Sequence, residues 1–260
     1  MKKTSIIPSF QESIENSTDL ACDITSLSIE RLTTNEVLLN IPIVKSLKVL
    51  YSLGRDIREA HLIKNSLIFL NEMKAGSIDQ KKLTKFKNKT LKSQKSLDNE
   101  LQRIIFILDR TTEEAKACYL GRLFAALLNE KISFDEFYDY SELLEKVYIN
   151  DLLKLNAKLI SSKFDGILEL SNNEERYFSR LENNGIGTRV FIKENEKKYA
   201  ITFQYDEYSQ CFANIIFNID RPIVNNDVNT NVEDVYSAIK QKADIDRLPE
   251  LTIDDVKYKY

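Results

Sequence analysis

Apolar residues recur at helical spacing along most of the chain, and the pattern is clearest between Leu97 and Ile149. The first segment has apolar residues at offsets of 0, 4, 7, 8 and 11, which form one face of an α-helix: Leu97, Leu101, Ile104, Ile105 and Leu108. A second apolar helix is predicted through 117–128 and a third from 134 to 148. Three helices with wide apolar faces must pack on one another, so this stretch predicts a helical core.

Two capping boxes are predicted to start the second and third of these helices. Thr111 with Glu114 and Ser133 with Glu136 each have a hydroxyl residue followed three positions later by a glutamate. A calcium loop ending at Glu136 is excluded because Ala125, Leu127 and Glu130 would occupy its first ligand positions and its obligatory glycine position.

A long helix is predicted before this core, from Ile43 to about Met73, because Pro42 suits its first turn and apolar residues follow at helical spacing. Its apolar side is core in the simplest interpretation. The alternative is an amphipathic helix that contacts a membrane or a partner, with four candidate residues: Val44, Leu47, Leu50 and Ile57.

A lysine-rich segment follows, from 78 to 96, and is predicted to form an exposed helix. Its cations are either a solvated face or a patch for phosphates or anionic lipid headgroups. The candidate residues for such an anionic partner are Lys81, Lys82, Lys85, Lys89 and Lys92.

The C-terminal part mixes helices with a hairpin. A helix is predicted at 152–164, a short one at 174–184, then a glycine turn, and two β-rich runs at 189–193 and 198–203 flank a polar loop. Helical spacing returns at 211–219, and 220–260 is polar and predicted to be a mostly flexible tail. The chain thus divides into an N-terminal arm at 1–36, a helical bundle at 37–150, a module at 151–219 and the tail.

Composition supports a mainly α fold, since 260 residues contain only 6 Gly and 4 Pro. The net charge of −3 supplies no global attraction for nucleic acid. The three cysteines, Cys22, Cys118 and Cys211, are interpreted as buried, reduced thiols of a cytoplasmic protein. No signal peptide or membrane-spanning segment is predicted.

The sequence contains no recognisable catalytic motif. The single histidine, His61, excludes histidine-rich metal sites and is interpreted as a packed or half-exposed structural residue. Six glycines form no phosphate-binding or nucleophile-elbow motif. The charged cluster at 109–114 is interpreted as ion pairs between helices. The prediction is therefore a protein that is not an enzyme and has no cofactor or metal.

The order of elements in 151–219 looks like a winged helix-turn-helix. Its recognition and wing residues would be Arg176, Arg180, Arg189, Lys193, Lys197 and Lys198. Glu174, Glu175 and Glu182 give the recognition helix a mixed charge, whereas a DNA-reading helix is usually more cationic. Protein contact is therefore favoured over nucleic acid for this module.

The chain from about 35 to 219 resembles a group of uncharacterised bacterial proteins of similar size. The resemblance rests on an Ile-Pro-Ile-Val opening at 41–44, an Ile-Leu-Asp-Arg turn at 107–110, and the segments 119–124 and 131–137. The Tyr-Ala-Ile-Thr run at 199–202 is similar to the end of the wing in that group, although Tyr205 stands where its members often have glycine. The resemblance implies a fold with a winged-helix-like C-terminal part and carries no catalytic residue.

These observations predict a bacterial cytoplasmic interaction or regulatory protein that associates through helical faces, with a role in stress or phage defence as a hypothesis. Its partner would be another protein or a second copy. One alternative is a membrane-active effector of the abortive-infection type, peripheral to the membrane, that uses the 37–73 and 78–96 helices. The second alternative is a winged-helix regulator that binds nucleic acid.

Overall fold

The described part of the chain is mainly helical, as the sequence predicts, and includes a small antiparallel sheet. The computed structural model describes residues 6–15, 36–51, 57–75, 81, 84, 94–161, 167–171, 173–195 and 198–219. The chain forms two compact units, Met1–Glu145 and Lys146–Tyr260.

The described part of the first unit consists of helices. The last of them ends at Lys146, one residue after the end of the unit. In chain order they are α1 Ile6–Glu15, α2 Glu36–Leu39, α3 Pro42–Tyr51, α4 Ile57–Ala75, α5 Gln94–Arg110, α6 Glu114–Leu128 and α7 Phe134–Lys146. The helix predicted from Ile43 to Met73 corresponds to α3 and α4, and the segment 52–56 between them lies outside the described residues.

The core of the first unit is built where α4 packs on α6. Phe69 of α4 lies between Phe10 and Phe124, with ring centroids 5.8 and 5.4 Å away. Gly121 of α6 lies against the backbone of α4, since a Cβ there would be 2.5 Å from the carbonyl oxygen of Phe69. A close crossing of this kind requires glycine, and it fixes α6 against α4.

One of the two predicted capping boxes is confirmed and the other is wrong. The Ser133 hydroxyl accepts from the Glu136 N–H at 3.2 Å, and the Glu136 carboxylate accepts from the Ser133 N–H at 2.7 Å. The hydrogen bonds that the Ser133 N–H and hydroxyl donate to the Glu136 carboxylate lower the pKa of Glu136. Thr111, in contrast, donates back to the Ile107 carbonyl at 2.8 Å, and α6 begins after Glu113 with no side-chain cap. The N-cap position of α6 is occupied by Glu113, two residues after Thr111, so the Thr111 hydroxyl bonds to the end of α5 and does not cap α6.

The second unit combines helices with a three-stranded sheet. Its elements are α8 Ile149–Ser161, β1 Ile167–Leu170, α9 Glu175–Asn183, β2 Thr188–Asn195, β3 Lys198–Gln204 and α10 Glu207–Phe217. The strand order is β1-β3-β2 and both pairings are antiparallel, with Leu168 opposite Phe203 and Arg189 opposite the same residue on the other side. The hairpin prediction is confirmed, whereas strand β1 was not predicted.

Aromatic side chains fill the core of the second unit. Phe203 contacts Phe178 of α9 and Tyr205, with ring centroids 4.8 and 5.0 Å away. Tyr205 is fully buried, and Asp206 after it caps α10 by accepting from the Ser209 N–H at 2.7 Å. The bulky residue at 205 thus belongs to the core, and the turn into α10 is closed by the aspartate that follows.

Candidate interaction surface

Helix α8 has apolar residues on two opposite faces. Leu152, Leu155 and Leu159 are buried. Leu153 and Ile160, seven residues apart, point the other way and are 49% and 70% exposed. The exposed Ala157 lies between them at helical spacing. We call Leu153, Ala157 and Ile160 the outer strip of α8; a helix that is apolar all round normally buries both faces.

A cluster of arginine and tyrosine side chains lies beside this helix. Arg180 of α9 is placed over two tyrosine rings, with its guanidinium carbon 5.5 Å from the centroid of Tyr148 and 5.3 Å from that of Tyr177. Arg176 is 4.6 Å from the Tyr177 ring and donates to its hydroxyl at 2.6 Å. The Lys154 ammonium is 5.8 Å from the same ring. Three cations therefore surround Tyr177, and the hydrogen bond from Arg176 together with these charges lowers its pKa.

The cluster is anchored by a buried carboxylate. Asp151 of α8 has no exposed surface and accepts from Nε of Arg180 at 2.8 Å and from Nη2 as well. A two-point contact of this kind fixes the plane of the guanidinium. Asp151 therefore determines where Arg180 lies between the two tyrosine rings.

The glutamates of this region are also paired with cations. Glu174 accepts from Lys158 at 2.9 Å and from Ser171. Burial alone would raise the pKa of Glu174, and these hydrogen bonds outweigh it, so that its pKa is lowered. Arg189 contacts Glu182 at 2.6 Å and Glu175 at 3.4 Å. The acidic side chains of α9 are thus neutralised within the unit.

An open groove of about 630 Å³ borders the cluster, with Lys154, Arg176, Tyr177 and Ser179 among its lining residues. Its size is that of a small-molecule site, but no nucleophile paired with a base lines it. The groove offers cations, a tyrosine ring and hydroxyl groups, and two carboxylates, Glu174 and Glu175, also line it.

The structure brings together only some of the predicted wing and recognition residues. Arg176 and Arg180 meet at Tyr177, whereas Arg189 is held by two glutamates. Lys193 lies on β2 and Lys198 on β3, but their side chains are outside the described residues, as is the whole of Lys197.

The other two candidate surfaces are described only in part. Lys81 is exposed, and the remaining candidates of the lysine patch lie outside the described residues: Lys82, Lys85, Lys89 and Lys92. Val44 on α3 is buried, with 1% of its surface exposed, which fits the core interpretation. Leu47 and Leu50 on α3 and Ile57 on α4 have described backbones only.

Sequence reasoning missed the residues that form the surface, namely Tyr148, Leu153, Lys154, Ile160 and Tyr177. One signal was present, because α8 contains leucine or isoleucine at 149, 152, 153, 155, 159 and 160, more than one face requires. That excess reveals a second apolar face only when the boundaries of the helix are known.

The charged cluster at 109–114 forms ion pairs between helices, as predicted. Arg110 contacts Glu145 at 2.6 Å, and Lys64 contacts Glu114 at 2.5 Å. His61 is exposed on α4, so of the two predicted alternatives it is not the packed one. Among the described residues no group of three potential metal ligands occurs, and no helix is long and apolar enough to cross a membrane.

Cys118 is a half-buried thiol beside an ion pair in the first unit, less buried than predicted. Glu72 of α4 accepts from Nε of Arg122 at 2.9 Å. Burial has the largest effect and raises the pKa of Cys118 to about 12. The charge of Arg122 lowers this pKa and Glu72 raises it, both by smaller amounts. Because the thiolate is the nucleophile, this raised pKa lowers the reactivity of the Cys118 thiol at neutral pH.

We expect Cys118 to react slowly with iodoacetamide at pH 8. With a pKa of about 12, roughly one thiol in 10⁴ is ionised at that pH, against roughly one in four for an ordinary cysteine. The rate should rise about tenfold per pH unit up to pH 10, measured by mass spectrometry of the peptide that contains Cys118 and compared with glutathione. A rate that levels off below pH 10 would contradict the raised pKa.

Comparisons with known proteins add no relative: no family model, no curated protein and no solved structure matches the chain.

Proposed function

We propose that the protein is a non-enzymatic interaction or regulatory protein that contacts another protein through the outer strip of α8 and the adjoining arginine–tyrosine cluster. One observation carries the proposal. Among the described residues, four large hydrophobic side chains are exposed, and three of them, Tyr148, Leu153 and Ile160, lie within 13 consecutive residues. Single exposed apolar residues are ordinary, but an apolar strip on the free side of a helix indicates a contact surface.

We also propose that the second unit is a winged-helix-like module, and its order of elements supports this. A short helix, α9, precedes a hairpin, and the sheet order is β1-β3-β2. In a winged helix that reads DNA, cations of the recognition helix reach the phosphates and bases. Here Arg180 and Arg189 are engaged by Asp151, Glu182 and Glu175. This pairing favours protein contact over nucleic acid, and tyrosine and arginine are also enriched at the energetic centres of protein interfaces.

The expected result of replacing Leu153 and Ile160 together with glutamate is loss of the contact. Charges on the strip cannot be desolvated against an apolar partner. Light scattering coupled to gel filtration at micromolar concentration measures self-association. Cross-linking in cells that produce the full chain, read by mass spectrometry, measures contacts with other proteins.

The control is Lys131→Glu, at an exposed position of the first unit. The wild type and the control should show the same contacts, and the double variant should lose them while keeping its circular dichroism spectrum. A wild-type chain that is monomeric and forms no cross-link dependent on the strip would refute the proposal. A role in defence and a membrane-active mechanism stay predictions from the sequence.

A further inference from the structure

We infer that the partner of this surface is an acidic amphipathic helix of another protein. The inference rests on the proposed function and specifies the chemistry of its contact. Three properties of the surface lead to it: the shape of the outer strip, the position of α9 along one side of the strip, and the two cations on that side that have no carboxylate partner in the described part of the chain.

The outer strip suits a helical partner. Leu153 and Ile160 are two turns apart, a span of about 10 Å. The small Ala157 lies between them, so the strip alternates large, small and large side chains. An amphipathic helix presents apolar residues at i, i+3 or i+4 and i+7, which is the same span. The gap over Ala157 allows a large side chain of the partner to pack between the two exposed ones.

Helix α9 lies along one side of α8. Asp151, Lys154 and Lys158 of α8, at helical spacing, contact Arg180, Tyr177 and Glu174 of α9 respectively. Viewed down the axis of an ideal helix, Lys154 lies between Asp151 and Lys158 on one side and the outer strip on the other. The cluster around Tyr177 therefore borders the strip along its length.

That border carries two cations that are not part of an ion pair among the described residues, next to two glutamates that are. Arg180, Arg189 and Lys158 are paired with Asp151, with Glu182 and Glu175, and with Glu174. Among the described residues Lys154 and Arg176 have no carboxylate partner, and both face the ring of Tyr177.

A partner with carboxylates beside its apolar residues would satisfy both cations. A second copy of the outer strip would not, because the exposed residues of α8 include no carboxylate: Asn150, Leu153, Lys154, Ala157, Ile160 and Ser161. The neighbouring Glu174 and Glu175 already contact Lys158 and Arg189. Like charges facing each other across an interface disfavour association. The charges therefore favour an acidic partner over self-association through this face.

Two fluorescent helical peptides of about 18 residues test the inference. Both carry leucine at i, i+3, i+4 and i+7; one has glutamate and the other lysine at the flanking positions. We expect the acidic peptide to bind the full-length protein at least about tenfold more tightly in anisotropy titrations at low salt. The difference should shrink at about 0.5 M salt because the charges are screened.

Variants separate the two components of the surface. Leu153→Glu should weaken binding of the acidic peptide at least about tenfold. The double variant Lys154→Glu/Arg176→Glu should reverse the preference between the two peptides, and Lys131→Glu should change neither affinity. Preserved circular dichroism shows that each variant is folded.

Three results would overturn the inference: equal affinity for both peptides, no binding of the acidic peptide below about 100 µM, or tighter binding of a single-stranded oligonucleotide that depends on Lys154 and Arg176. If cross-links to another protein still depend on Leu153 and Ile160, such a result refutes the acidic helix and leaves the proposed contact intact. If those cross-links are also absent, both proposals fail.

Discussion

Replacing Gly121 with valine is expected to lower the free energy of unfolding by about 3 kcal/mol or more, because excess volume at a close-packed site costs about 1–3 kcal/mol and sometimes more. A Cβ at this position would lie 2.5 Å from the Phe69 carbonyl oxygen and 2.9 Å from the Glu72 Cβ. Backbone atoms cannot turn aside as a flexible side chain does, so α4 and α6 must move apart. Urea unfolding of the full chain measures the change.

Alanine provides the graded comparison at the same position. In an ordinary helix interior alanine is more favourable than glycine by about 1 kcal/mol, so Ala157→Gly at an exposed position of α8 should destabilise the protein by about that amount. Gly121→Ala should destabilise as well, against the intrinsic preference, and by less than Gly121→Val. A Gly121→Ala protein more stable than the wild type would show that the helices separate without cost.

Replacing Arg180 with alanine is expected to destabilise the second unit by about 2–3 kcal/mol, somewhat below the range for breaking a fully buried ion pair because Arg180 reaches solvent. Its partner Asp151 is fully buried, so the variant leaves a carboxylate without its cation in the interior. Urea unfolding measures the loss of stability. Hydrogen exchange in α8 and α9 shows whether it is located at the helices that the ion pair connects.

Arg176→Ala is the matched control for that variant. Arg176 also lies over Tyr177, on the same helix, but has no carboxylate partner among the described residues. Its removal should change stability by no more than about 0.5 kcal/mol. Adding Asp151→Asn to Arg180→Ala should recover part of the loss, since the buried charge is then removed. Equal destabilisation by Arg176→Ala and Arg180→Ala would contradict the anchoring role of Asp151.

The hairpin was predictable from the sequence because β-branched and aromatic residues flank a polar loop over 189–203. Strand β1 was not, because its four residues, Ile167–Leu170, are too few to show a period. It is a strand because it pairs with β3, more than 30 residues later in the chain. The register of that pairing is a property of the folded chain.

Capping shows a similar difference. Ser133-x-x-Glu136 and Thr111-x-x-Glu114 are equivalent as patterns, but only the first caps its helix. Thr111 follows directly on α5, so its hydroxyl reaches a carbonyl of that helix instead. Whether the hydroxyl caps the next helix depends on the structure just before it, and a four-residue pattern does not contain that information.

The sequence by itself determined the mainly helical class, the positions of the core helices and the hairpin, because these follow from local periodicity. Only the tertiary structure decided which apolar side chains are exposed and which cations are paired. It turned the inner leucines of α8 inward, left Leu153 and Ile160 exposed, and paired Arg180 and Arg189 with nearby carboxylates. The physical reason is that exposure and charge compensation depend on neighbours distant in sequence, as Asp151 and Arg180 are.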